Sequence, residues 1–194
     1  MKKPASKESF GEGVYYRPED YASLPKRFLI MGIDFASLVF LLLLATSLFM
    51  IFFRDYNQWM SWSRYAVLAI SYLYLAVLKR TDFGTLGYWL TGVKIVNLKG
   101  KRPSLWQMTF RFIMFVFGPF NIIADVVWLG GDENRQTLRD KVVGTYVVKD
   151  EAIPLGQGEQ ILVPYFLLAW SLMFREVKRG LPADSQSNSQ IQPL

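Results

Sequence analysis

From Phe28 to Phe53 the chain runs for about 26 residues with one formal charge, Asp34. Roughly 20 apolar residues cross a bilayer as a helix, so this stretch commits the chain to a membrane and supplies its first span. Arg27 stands at the mouth of the helix, and Asp34 lies seven residues further in. At about 100° per residue the two fall close to one helical face. A carboxylate in such a span costs on the order of 2.5–3.5 kcal/mol near the bilayer centre, less when shallow, and faces protein or water. Gly32, Ala36 and Ser37 surround Asp34 and would let another helix approach closely.

What the chain lacks narrows its chemistry. It has no cysteine, so disulfides, thiolate metal sites and cysteine nucleophiles are out. It has no histidine, which removes the commonest metal ligand and the side chain that normally titrates near neutrality. No nucleophilic triad can be built on these terms, and Gly84, Gly87 and Gly92 have neither the lysine nor the context of a phosphate loop. The expectation is a protein that is not an enzyme and holds no cofactor or metal. A hydrophobic fraction of 52% and an aromatic fraction of 16%, gathered in blocks, fit a membrane protein of one domain. The first 27 residues are polar and of mixed charge, so the first helix is expected to stay as an anchor and not be cleaved as a signal peptide.

Residues 1–23 read as a flexible lead-in, with Tyr15, Tyr16 and Tyr21 as candidates for docking at the membrane surface. A second helix starts between Trp59 and Tyr65, ends at Leu78, and is closed by Lys79 and Arg80. Its tyrosines at 65, 72 and 74 read as packing and interfacial anchors. The segment 79–104 carries Lys79, Arg80, Lys94, Lys99, Lys101 and Arg102 against Asp82 alone. By the positive-inside rule that segment is cytoplasmic, and so is the N-terminus two spans away. Within it, residues 93–97 are a strand candidate, and Ser104 with Gln107 reads as a capping box opening a helix behind Pro103.

A third apolar block, 105–129, is interrupted by Arg111, Gly118-Pro119 and Asp125. A second strand candidate, 145–149, has its natural partner at 93–97, and two short isolated strands need one another to satisfy their backbones. Pairing them places both on one side of the membrane, so the block is read as a re-entrant hairpin turning near Gly118-Pro119; a straight third span is the alternative. Ile161 to Phe174 is too short for a span and reads as an interfacial helix, followed by the basic Arg175, Lys178 and Arg179. The expected architecture is thus an all-α membrane protein of two transmembrane helices, a broken third block, a short cytoplasmic β-pair and a C-terminal interfacial helix. Its divisions are 1–23 flexible, 24–151 membrane domain, 152–180 interfacial or short membrane helix, and 181–194 a disordered Ser/Gln-rich tail.

The chain resembles the RDD family of small membrane proteins, named for one arginine and two aspartates. The residues that carry the resemblance are Arg27 and Asp34 on the first helix and Asp140 within Arg135-Gln136-Thr137-Leu138-Arg139-Asp140-Lys141. Thr85-Leu86-Gly87, Gly92-Val93-Lys94-Ile95-Val96, Gly100, Arg102-Pro103-Ser104-Leu105 and Arg111 follow in the right order over about residues 22–149. Tyr88 departs from the pattern, where the family often carries a lysine. The resemblance implies an inner-membrane protein engaged in transport, including sodium/proton antiport, or serving as an accessory module of a larger assembly.

Two readings follow for the charged residues. In one, Arg27, Asp34, Arg111, Asp125 and Asp140 form a shallow cluster that couples ion or proton movement in a small oligomeric translocator; Asp34 and Arg111, each about six residues into its block, meet at one depth. In the other, the same charges are structural ion pairs within a non-catalytic accessory or assembly subunit. Lys94, Lys99, Lys101 and Arg102 are candidates for anionic lipid headgroups or simply fix topology. The expected partners are membrane lipids and a homo-oligomer or larger membrane complex, with no nucleic acid.

Overall fold

The computed structural model describes residues 10–52, 55–116, 123, 125–126, 128–129, 134–167 and 170–179. Its longest element, α1 (Leu24–Phe52), opens with Pro25 in the first turn, where a missing N–H costs nothing. Of its 29 residues only Ile30 and Asp34 are buried by the chain. An apolar helix left uncovered around most of its circumference is made for lipid or for neighbouring helices. The second helix, α2 (Tyr56–Tyr72), begins earlier than expected because Asp55 caps it, accepting a bond from the Asn57 N–H at 3.0 Å. It runs on through a π-turn (Leu73–Val77) and a 3-10 turn (Leu78–Arg80). Both helices are long and apolar enough to cross a membrane.

After a one-and-a-half-turn helix α3 (Leu86–Thr91), Gly92 takes φ 60° and redirects the chain into β2 (Val93–Asn97). Strand β2 pairs antiparallel with β3 (Thr145–Lys149), Val93 opposite Lys149 and Asn97 opposite Thr145, the pairing the sequence predicts. This ribbon forms the plate between two cores. Val93, Ile95 and Val147 face Ala22, Ile30, Ala76 and Met108, while Val96, Tyr146 and Val148 face Tyr16 and Tyr21. The tyrosines expected at the membrane surface are therefore core residues; Tyr21 and Tyr146 ring centroids lie 5.5 Å apart.

Helix α4 (Leu105–Val116) starts with the predicted capping box, Gln107 N–H to Ser104 Oγ at 3.1 Å and Ser104 N–H to Gln107 Oε1 at 2.9 Å. Arg80 Nε donates to the Pro103 carbonyl at 2.7 Å, so α4 begins beside the end of α2. It then runs back along α2: the Tyr72 and Thr109 hydroxyls are 2.9 Å apart, and the Tyr72 and Phe112 rings pack edge-on. Helix α5 (Leu138–Val143) has a capping box of its own between Thr137 and Asp140. Both sides of the third block reach α5. Gln107 Nε2 donates to the Val143 carbonyl at 2.9 Å, and Asp125 accepts from the Arg139 N–H at 3.2 Å. The predicted turn at Gly118-Pro119 lies outside the described residues.

The expectation of an all-α protein is corrected by a three-stranded sheet. Its strands are β1 (Glu12–Tyr15), β4 (Gly156–Leu167) and β5 (Trp170–Val177), antiparallel in the order β1-β4-β5. The segment 152–180 is thus mainly a β-hairpin and not an interfacial helix. Pro164 would remove a bond and clash inside a helix, whereas it is tolerated on a strand edge. Gly158 lets β4 lie so close to the Lys178 carbonyl that a Cβ there would overlap it. The lead-in expected to be flexible supplies β1, pairing Glu12 with Glu159 and Tyr15 with Gly156. Residues 181–194, expected to be disordered, lie outside the described residues.

Candidate functional site

The five expected charges do not meet in one cluster; they divide among three acidic centres on different elements. Asp140 sits fully buried in the first turn of α5 between two guanidinium groups. Arg27 Nη1 donates to Asp140 Oδ2 at 2.7 Å, and Arg111 Nη1 contacts Oδ1. Each arginine has a further partner. Arg27 Nη2 donates to the Arg135 carbonyl at 2.8 Å, and Arg111 Nη1 also donates to Thr145 Oγ1 at 2.8 Å. Arg135 takes φ 47°, uncommon for a residue other than glycine, and its carbonyl is fixed by that bond. The carboxylate further accepts the Thr137 N–H at 3.2 Å. Burial alone pushes the Asp140 carboxyl upward; the Arg111 and Arg27 charges, with these hydrogen bonds, outweigh it and hold it well below the usual carboxylate range. One aspartate thus fastens α1, α4, α5 and β3 together.

Asp34 does not pair with Arg111. Matching depth says nothing about which way around a helix a side chain points, and Asp34 faces α2 and α3. Its carboxylate accepts the Gly87 N–H at 2.9 Å and Thr85 Oγ1 at 2.9 Å, and it pairs with Lys79 Nζ at 3.1 Å. Tyr74 OH stands 3.5 Å away and accepts the Leu86 N–H at 3.3 Å. A side chain from α1 therefore caps the start of α3, where helix N–H groups lack partners and negative charge is favoured. The π-turn makes this possible. Leu78 N–H closes onto the Leu73 carbonyl five residues back, so positions five apart come onto one face. Tyr74 and Lys79 are such a pair, and they would diverge on an unbroken α-helix.

Lys79, Tyr74, Thr85 and Gly87 are the partners that sequence reasoning missed. Lys79 reads as a topological charge at a helix end, while the Thr-x-Gly motif is the one signal that could have pointed to Thr85 and Gly87. The Lys79 ammonium also lies 4.5 Å over the Tyr88 ring, so the position that departs from the family pattern supports the cation already at this site. A Cβ at Gly87 would stand 2.6 Å from both Asp34 Oδ1 and the Ile30 carbonyl. Gly87→Ala is therefore expected to push α3 off α1 and destabilise the protein by about 1–3 kcal/mol, read as a lowered melting temperature in detergent.

Asp125 is a third centre, pairing with Arg139 through its guanidinium and backbone N–H. The basic candidates are equally dispersed. Lys94 pairs with Asp150, Arg102 pairs with Asp82, and the Lys99 and Lys101 N–H groups bond to Asn97 Oδ1 at 2.9 and 3.0 Å. Among the described residues no three acidic side chains converge to hold a metal ion.

No curated protein and no solved structure matches this chain. Residues 21–144 match the family model of the RDD family, a span that includes Arg27, Asp34, Arg111, Asp125 and Asp140 but excludes β1, β3, β4 and β5. Together with two helices apolar enough to cross a bilayer, this marks a membrane protein. With its arginine and both aspartates engaged at the junctions between elements, and with well over half its length matched, the chain belongs to the RDD family.

Proposed function

We propose that this protein is a non-catalytic assembly subunit of a larger inner-membrane complex. The reading rests on one observation: the expected functional charges are engaged within the chain, while the apolar sides of α1 and α2 are left open. Phe35, Phe40, Leu43 and Ile51 on α1 are all more than 60% exposed, and Tyr65 and Leu68 on α2 are similarly bare. Such helices suit lateral packing against other membrane helices or lipid. In this reading the N-terminus is cytoplasmic, and residues 105–129 enter the membrane and return. The contacts of Gln107 and Asp125 with α5, one before and one after Gly118-Pro119 in the sequence, support the return.

Native mass spectrometry after gentle extraction from the source membrane tests it. A stoichiometric partner is the expected result; a chain recovered alone or only as a homo-oligomer overturns it. A second reading is favoured by Asp34, a carboxylate inside a span with an ammonium and two hydroxyl groups in reach. In a homo-oligomer such a centre would exchange protons during cation transport. Cation-dependent proton flux into vesicles holding the purified protein is the result that reading requires.

A further inference from the structure

Between α5 and the outer face of the β4–β5 hairpin lies an open cleft of about 560 Å³. Two unlike kinds of residue line it. Lys99, from the turn after β2, and Arg175, from β5, contribute positive charge, with no carboxylate among the lining residues. The apolar wall is Leu162, Met173 and Val142, which are 41%, 66% and 48% exposed. Leu162 and Arg175 are directly opposite in the strand register, and Met173 follows on the same face. A water-facing strand pair normally turns polar residues outward, so exposed Leu162 and Met173 call for an apolar cover.

The fold holds the Arg175 guanidinium itself and the turn that carries Lys99. The Arg175 guanidinium stacks on the Phe10 ring at 4.9 Å, and the Lys99 N–H is tied to Asn97. Lys141 also borders the cleft, but its ammonium is engaged by Glu176 and Tyr165. The cleft also lies at a fixed level relative to the spans. Gln107, in the first turn of α4, lines it, and that turn follows Pro103, which is bonded to Arg80 at the end of the second span. A hydrophobic helix ending at that level places the cleft beside lipid headgroups.

We propose that this cleft binds one phosphate-bearing amphiphile, an anionic phospholipid of the bilayer, with its phosphate between Lys99 and Arg175 and an acyl chain over Leu162 and Met173. Among the four basic candidates of the loop only Lys99 takes part, and Arg175 is its partner from outside the family-matched region. The inference rests on the chain residing in a bilayer, and either functional reading above can fail without affecting it.

The test uses the full chain in nanodiscs, with native mass spectrometry reading retained phosphatidylglycerol against phosphatidylcholine. One phosphatidylglycerol per chain is expected. The double variant Lys99→Gln/Arg175→Gln should weaken its retention by roughly 25-fold, about fivefold per lost charge near a surface. The charge-matched control Lys94→Gln/Lys101→Gln should leave it within about twofold. Because the chain has no cysteine, a fluorophore at Met173→Cys reports the acyl chain separately, and brominated phosphatidylglycerol should quench it. Equal loss in both double variants would overturn the site, since bulk charge would then explain retention. Absence of quenching, or inorganic phosphate competing as well as the lipid does, would overturn the lipid assignment.

Discussion

Replacing Asp140 with alanine is expected to cost the fold about 4–6 kcal/mol, much of the 5–15 kcal/mol that holds a typical domain together. Two contributions add. Breaking a buried ion pair by removing one partner costs about 3–5 kcal/mol because the other charge is left uncompensated. Here two guanidinium groups, each with a side chain about 12–13% exposed, would face one another. Losing the capping box adds about 1 kcal/mol. Asp140→Asn keeps an acceptor for the Thr137 N–H and should lose less. For a chain of this size, the alanine variant should melt more than 8 °C lower in detergent, at about 2–4 °C per kcal/mol. A shift of a degree or two would refute the central fastening. The same group sets an acid limit. Its folded carboxyl is held below the ordinary range, so its stabilisation is fully present above the unfolded value of about 3.9 and is lost as pH falls through the folded one. Melting temperature should stay level from pH 7 to about 5 and decline below about 4, with Asp140→Asn removing most of that decline.

The parts of this architecture that are local in sequence were legible there. The run from Phe28 to Phe53 needs only a count of apolar residues, and the Ser104–Gln107 capping box needs only a spacing of three. The β2–β3 pair followed from the rule that isolated strands need partners. Arg27, Arg111 and Asp140 do converge, and the ion-pair reading anticipated the kind of bond they make. The Asp34 site was not legible, because depth along a helix is read from residue number but direction around it is not. Lys79 reaches Asp34 across 45 positions, and the π-turn that aims it follows from no residue in Leu73–Val77. The β4–β5 hairpin was missed for a different reason. An apolar run of about 14 residues suits a short buried helix or a strand pair equally. What decides it is β1, some 145 positions away, which supplies the ladder for the base of β4.

The Asp34–Lys79 pair separates structural from transport chemistry if the two charges are removed singly and together. Asp34→Asn keeps an oxygen for the Gly87 N–H and turns its amide NH2 toward Thr85 Oγ1, which can accept from it, but leaves the Lys79 ammonium, with its side chain 18% exposed, facing a neutral amide. Lys79→Met leaves the carboxylate with its hydrogen bonds and no counter-charge. Each is expected to destabilise by about 3 kcal/mol, the lower end for a broken buried pair. The double variant Asp34→Asn/Lys79→Met buries no unpaired charge, and the methionine can still cover the Tyr88 ring. Its stability should return to within about 1–2 kcal/mol of the parent, so the coupling between the positions exceeds the ~0.5 kcal/mol within which independent sites add. Additive losses would show that the two side chains stabilise their helices separately. The double variant then gives the functional answer that neither single variant can. An assembly subunit needs the helix junction and not the charge, so the refolded double variant should still be recovered with its partner. A proton-coupled translocator needs a titratable carboxylate within the span, so the same well-folded protein should carry no cation-dependent proton flux.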